Sequence, residues 1–254
     1  MTKRKWQMGA LALFLSAAGA AVDARCVAVS GPSRAPLLEL YTSEGCNNCP
    51  PADRWLSGLR ERKPRDVVPL AFHVDYWNKG GWVDRFSQPA WTQRQSRIAA
   101  MHHSPTVYTP QFVLDGRDWR AWRGDLPEAG GERAGATLTL RLKPPRHGRL
   151  EVNAEARMRE HPDGTQVSLA LYENNLISRV AAGENAGSLL RHDFVVRRLT
   201  GPFPLPESGV LRLREAFVLE ADWQPTNLGV AAFIQNAGSG EVYQALRLHL
   251  CKKR

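Results

Sequence analysis

Only four cysteines are spread over the 254 residues, and no second C-x-x-C follows the one formed by Cys46 and Cys49. A structural zinc site draws four ligands, usually as two such pairs at recognisable spacing, so the missing second pair argues against a zinc module. Long apolar runs are equally scarce. The stretch from about Met8 to Val22 falls short of the roughly 20 apolar residues that a bilayer span needs. Carboxylates are the minority charge, with 25 acidic residues against 34 Lys and Arg and a formal net charge of +9. The arginines form no clustered run and are not interleaved with aromatics, so they read as a solvated surface and not as a nucleic-acid groove. The sequence shows no internal repeat.

The N-terminus reads as an address. Lys3, Arg4 and Lys5 precede the apolar run, and Val22-Asp23-Ala24 places small residues before a cut, so residues 1–24 are expected to be a signal peptide cleaved after Ala24. Arg25 stands before Cys26 where a lipoprotein signal has a small residue. The mature chain is expected in the periplasm or outside the cell, without a stable membrane span. In such an oxidising compartment cysteines pair. Two are neighbours in the C-x-x-C and two lie at opposite ends of the mature chain, so of the three possible connectivities Cys46 with Cys49 and Cys26 with Cys251 is the natural one.

Residues 37–42, "LLELYT", form a short apolar run with one carboxylate, as a buried strand would. After the cysteines, Ala52, Trp55, Leu56 and Leu59 recur at helical spacing until Lys63-Pro64 stops them. "VVPLAFHV", residues 67–74, supplies a second strand, reached by a crossover of the length a parallel pair requires. An aromatic and glycine-rich loop follows, then a helix from about Pro89 to His102. Residues 106–122 read as a hairpin turning at Asp115-Gly116. From about Thr137 the texture changes to period-two alternation, as in Leu138, Leu140 and Leu142 and in Val167, Leu169 and Leu171. That pattern predicts about seven antiparallel strands of a β-sandwich, with a boundary in the Gly-rich stretch 124–136.

A thiol at a helix N-terminus loses its proton more readily because the backbone there favours the anion. Cys46, nearer the free N–H groups and solvent, is the expected attacking thiolate, and Cys49, leading into the buried helix face, the resolving thiol. Two other readings stand beside this one. The pair could be a structural staple in a non-catalytic interaction module, or it could hold a metal together with His73, His102 or His103.

Strand, C-x-x-C at a helix start, crossover strand, helix, then a Thr-Pro leading into a hairpin resembles the thioredoxin fold. More narrowly, "ELYTSEGCNNCPPAD", "AFHVDYWNKGGWVDRFSQPAWTQRQ", "VYTPQFVLDG", "AGENAGSLLRHDFVVRRL" and "VAAFIQNAGSGEVYQAL" resemble the exported bacterial family catalogued as domain of unknown function 1223. The resemblance departs at Asn47, Asn48 and Asn78, where relatives commonly have serines between the cysteines and an aspartate after the HVDYW motif. Together with the period-two alternation, the thioredoxin resemblance implies an α/β thioredoxin-like N-terminal domain over residues 25–134, followed by an all-β sandwich-like C-terminal domain over 135–254. It also implies a cis peptide at Pro110, with Thr109 pairing a bound peptide strand. Glu39 and His73, on adjoining strands, are the candidate proton-handling groups, and Trp77 a candidate for the peptide-binding surface. The expected activity is thiol-disulfide exchange with exported protein thiols and a redox partner protein. No cofactor and no metal are called for.

Overall fold

The computed structural model describes residues 26–64, 66–124, 126 and 132–251. The expected signal peptide lies outside the described residues. Fourteen strands and two α-helices are present among them. Strands β1 (Val27–Val29), β2 (Leu37–Thr42) and β3 (Val68–His73) are followed by β4 (Gln111–Leu114) and β5 (Arg117–Asp118). Next come β6 (Ala136–Leu142), β7 (Arg149–Met158), β8 (Thr165–Glu173), β9 (Leu176–Arg179) and β10 (Leu189–His192). The last four are β11 (Val195–Pro204), β12 (Val210–Val218), β13 (Leu228–Asn236) and β14 (Val242–His249). Helix α1 (Pro50–Ser57) connects β2 to β3, and α2 (Pro89–Met101) precedes β4.

The expected fold class, a thioredoxin-like α/β domain followed by a separate all-β domain, is overturned. The chain is mostly β, and strands from both halves share one eight-stranded sheet ordered β14-β13-β8-β11-β3-β2-β4-β5. The join is β11, which runs parallel to β3 with Val195 opposite Ala71 and antiparallel to β8 on its other side. The physical reason lies in β8 and β13, which are apolar on both faces and not on alternate positions. On one face Val167, Leu169, Leu171, Val230, Ala232 and Ile234 pack against β6 and β7 of the four-stranded sheet β1-β6-β7-β12. On the other, Ala170, Tyr172, Ala231 and Phe233 join the cluster that contains β2, β3 and both helices. A strand buried on both sides is an interior strand of a covered sheet, and it fuses the two cores.

The two helices flank the β3–β2–β4 segment on opposite faces. Leu40 is opposite Phe112 in register, and Phe112 meets Trp55 of α1 ring to ring at 5.1 Å. Tyr41, one residue on and therefore on the other face, stacks on Phe72, which meets Trp91 of α2 at 5.3 Å. The ends of the described segment are tied by a Cys26–Cys251 disulfide, with Cα atoms 5.6 Å apart.

Candidate functional site

Strand β2 ends at Thr42, and four residues later Cys46 begins a turn in which Cys49 N–H donates to the Cys46 carbonyl at 3.2 Å. Cys49 is the N-cap of α1, with Pro50 in the first turn, where the missing N–H costs nothing. The two cysteines are joined as a disulfide, Cα to Cα 5.5 Å. Gly45 permits the turn to lie against the Trp77 side chain, since a Cβ there would come within 3.2 Å of the Trp77 Cβ. Trp77 in turn donates through Nε1 to Thr109 Oγ1 at 2.6 Å. The Thr109–Pro110 bond is cis. Tyr41 of β2 lies opposite Gln111 of β4, so Thr109 and Pro110 sit at the sheet end from which the Cys46 turn emerges. Cys46, Cys49, Trp77, Thr109 and Pro110 are thus one neighbourhood.

Cys46 is not the exposed thiol that its place before the helix suggests. It is 1% exposed and Cys49 is 0% exposed. A distant hairpin, which local sequence reading does not connect to the cysteines, is hydrogen-bonded to their turn. Asn185 Nδ2 donates to the carbonyls of Glu44 at 2.8 Å and Cys46 at 3.0 Å, and Asn47 N–H donates to Glu184 Oε2 at 3.1 Å.

Glu39 and His73 do not meet. Glu39 is opposite Leu70 and His73 opposite Thr42 in the parallel β2–β3 register, so the two side chains project from opposite faces. Glu39 faces α2, accepting from Arg94 Nε at 3.0 Å and Nη2 at 2.5 Å and from the Tyr41 hydroxyl at 2.6 Å. It is a satisfied core carboxylate, bonded to Arg94 and Tyr41.

His73 faces the α1 side and belongs to a buried group that sequence reasoning missed. Its Nδ1 lies 2.7 Å from Asp84 Oδ2. Its ring stands edge-on to His192 at 4.9 Å. His192 sits between two carboxylates, Nε2 3.3 Å from Glu44 Oε1 and Nδ1 3.7 Å from Asp53 Oδ2. These are ion-pair distances without hydrogen-bond alignment, and both His192 nitrogens, His73 Nε2 and Glu44 Oε1 are buried without a hydrogen-bond partner among the described residues. Glu44 Oε2 accepts from Trp82 Nε1 at 2.7 Å. Burial pulls the His73 pKa down, but the charge and hydrogen bond of Asp84, aided by Asp53 and Glu44, overcome it and hold it above the ordinary value. Burial raises Asp53. For Asp84 and Glu44 burial is outweighed, by His73 and by His192 respectively, and both are held below the usual carboxylate range. Among the described residues no group of three or more His, Cys, Asp or Glu is arranged to hold a metal ion.

The signals were present but distributed. Glu44 and Asp53 flank the cysteines in "SEGCNNCPPAD", Asp84 lies in "GGWVDRF", and Glu184, Asn185 and His192 lie in "GENAGSLLRH". These are the long motifs on which the family resemblance rests, and the fold brings them to one place.

The profile of the family described as "Protein of unknown function (DUF1223)" matches residues 37–235. The chain belongs to the DUF1223 family. No curated protein matches the DUF1223 chain. Among solved structures it is similar to protein AGR_C_4864 from Agrobacterium tumefaciens, with 22% identity, a TM-score of 0.58, and coverage of 89% of this chain and 98% of that one. It is also similar to HBP35 of Porphyromonas gingivalis, with 15% identity, a TM-score of 0.62, and coverage of 87% of this chain and 76% of that one. At these identities the likeness is one of fold. The DUF1223 match spans every segment of the site, from β2 through the Cys46 turn and the His192 hairpin to β13.

Proposed function

We propose that this DUF1223 protein is an exported thiol-disulfide oxidoreductase, periplasmic or secreted, whose working pair is Cys46 and Cys49. The observation that carries the reading is the placement of that pair at the start of α1, beside Trp77, Thr109 and Pro110. The start of a helix favours a thiolate, and the second disulfide, Cys26–Cys251, suits an oxidising compartment. In the reducing direction the Cys46 thiolate attacks one sulfur of a client disulfide, forming a mixed disulfide and expelling the client's other sulfur as a thiolate, which takes a proton. The Cys49 thiolate then attacks the Cys46 sulfur, re-forming the Cys46–Cys49 bond and releasing the second client thiol. The oxidising direction is the same sequence reversed. Client proteins and a redox partner protein are the expected partners.

Burial of both sulfurs favours a second reading, a structural staple in an interaction module. One experiment separates them. Cys49→Ser should accumulate mixed disulfides with cell-envelope proteins that reductant releases, while Cys46→Ser traps few. If neither variant traps anything and the wild-type pair resists a mild dithiol, the staple reading stands and the enzyme reading falls.

A further inference from the structure

Among the described residues, strands β9 and β10 pair only with each other, Leu189 opposite Arg179 through His192 opposite Leu176, and belong to neither large sheet. A lone two-stranded hairpin is marginal in water, so what holds this one down is its docking. The alternation of the strands divides it into two faces. Ser178, Leu190 and His192 are buried beneath it, and Ile177 and Leu189 stand 45% and 47% exposed above it, beside exposed Arg179 and Arg191. The seam with α1 is loosely filled, with a cavity of about 100 Å³ bordered by Pro50, Asp53 and Leu190. At the tip, Gly183 adopts a positive φ of 75° and fits against the Gly80 carbonyl, which a Cβ would approach to 3.2 Å.

The ties concentrate on the cysteine turn. Asn185 supplies donors to the Glu44 and Cys46 carbonyls, and Glu184 supplies an acceptor to the Asn47 N–H. An extended polypeptide approaching Cys46 carries the same kinds of donor and acceptor, and it would seek the same backbone groups. At the root of the hairpin, His192 adds the contacts with Glu44 and Asp53. The hairpin therefore does two things at once. It is tied to the turn in which Cys46 is 1% exposed, and it already occupies the Glu44 and Cys46 carbonyls and the Asn47 N–H.

We propose that the β9–β10 hairpin is an autoinhibitory cap that holds the Cys46 turn through Glu184 and Asn185, and that the disulfide reacts only when the hairpin swings off. The cap concerns regulation of the pair and rests on the redox reading for its purpose, although its existence can be tested without it. Because an opening equilibrium governs access, loosening the ties raises the open population and the rate in proportion.

The test compares wild type with Asn185→Ala and with Asn185→Asp, which keeps the size of the side chain and loses both donors. The probe is tris(2-carboxyethyl)phosphine. It is oxidised to the phosphine oxide with oxygen from water, while the Cys46–Cys49 bond takes up the two electrons and two protons to give two thiols, counted by alkylation and mass. Loss of two hydrogen bonds should speed reduction on the order of tenfold. Amide hydrogen exchange at Val180, Gly187 and Ser188 should accelerate alongside, with β8 and β13 unchanged as proof of folding. Equal reduction rates in wild type and both variants overturn the cap. Acceleration without any client adduct in Cys49→Ser keeps the cap and removes only the redox reading. Client adducts in Cys49→Ser without acceleration in the Asn185 variants remove only the cap.

Discussion

Arg94 and Glu39 form a two-pronged ion pair in the core, and removing either partner strands a buried charge. Such a loss costs about 3–5 kcal/mol, so Arg94→Met should lower the unfolding free energy by about that amount, read by urea titration, while Glu39→Gln leaves the pH profile of disulfide reduction where it was. A shifted profile in Glu39→Gln would return that carboxylate to a chemical role. The residue letter alone made Glu39 and His73 look like partners, because both are ionisable and sit on adjoining strands. Only the register, Glu39 opposite Leu70 and His73 opposite Thr42, separates them. The buried cluster also makes stability depend on pH. His73 is raised, so its contribution is fully present below its ordinary value of 6.5 and is lost as pH rises through the folded value. Asp84 and Glu44 are lowered, so theirs is present above 3.8 and 4.5 and is lost as pH falls through their folded values. Asp53, raised by burial, works the other way and costs stability as pH climbs past 3.8. The favourable contributions of His73, Asp84 and Glu44 overlap between about pH 4.5 and 6.5, with the Asp53 cost set against them. The wild-type melting temperature should fall as pH rises above about 6.5, and His73→Gln should flatten that descent.

At the scale of elements, stability should follow how many faces of each strand are covered. Strands β8 and β13 are buried on both faces and lie inside the eight-stranded sheet, whereas β9 and β10 have one dry face and one neighbour. Amide exchange should consequently release β9–β10 first and β8 and β13 last. A hairpin exchanging as slowly as β13 would contradict this order. Local pattern exposed several elements well. Pro89 opens α2, Lys63-Pro64 follows the end of the α1 segment, and Asp115-Gly116 turns β4 into β5 with both residues at positive φ. These are signals of near neighbours. What the pattern hid was any pairing set by distant residues, above all β11 against β3 and the β9–β10 hairpin against the Cys46 turn. Stretches such as "LALY" and "GVAAFI" carried the clue, since unbroken apolar runs mark strands covered on both sides. Beside the alternation of β6 and β7, they read as half-exposed strands.

For the molecule as a whole, the shared sheet makes a prediction that two separate domains would not. The core of β2, β3 and the helices is continuous with that of β8 and β13 through Ala170, Tyr172, Ala231 and Phe233, so neither half can lose its packing without exposing the inner face of the other. Heat or denaturant should give one cooperative transition, seen alike by Trp fluorescence, which reports mainly on residues 55–122, and by far-ultraviolet dichroism, which reports on all strands. Two resolved transitions would mean that the β11–β3 junction is too weak to couple the halves. The Cys26–Cys251 bond bears on the same transition without creating it. It joins positions 225 residues apart, beside β1 of the small sheet and β14 of the large one, and so restricts the unfolded chain far more than the folded one. Paired Cys26→Ser and Cys251→Ser changes should lower stability by about 2–4 kcal/mol while the transition stays single, because the sheet and not the disulfide makes the molecule cooperative. A transition that splits in two in the double variant would assign that coupling to the bond instead.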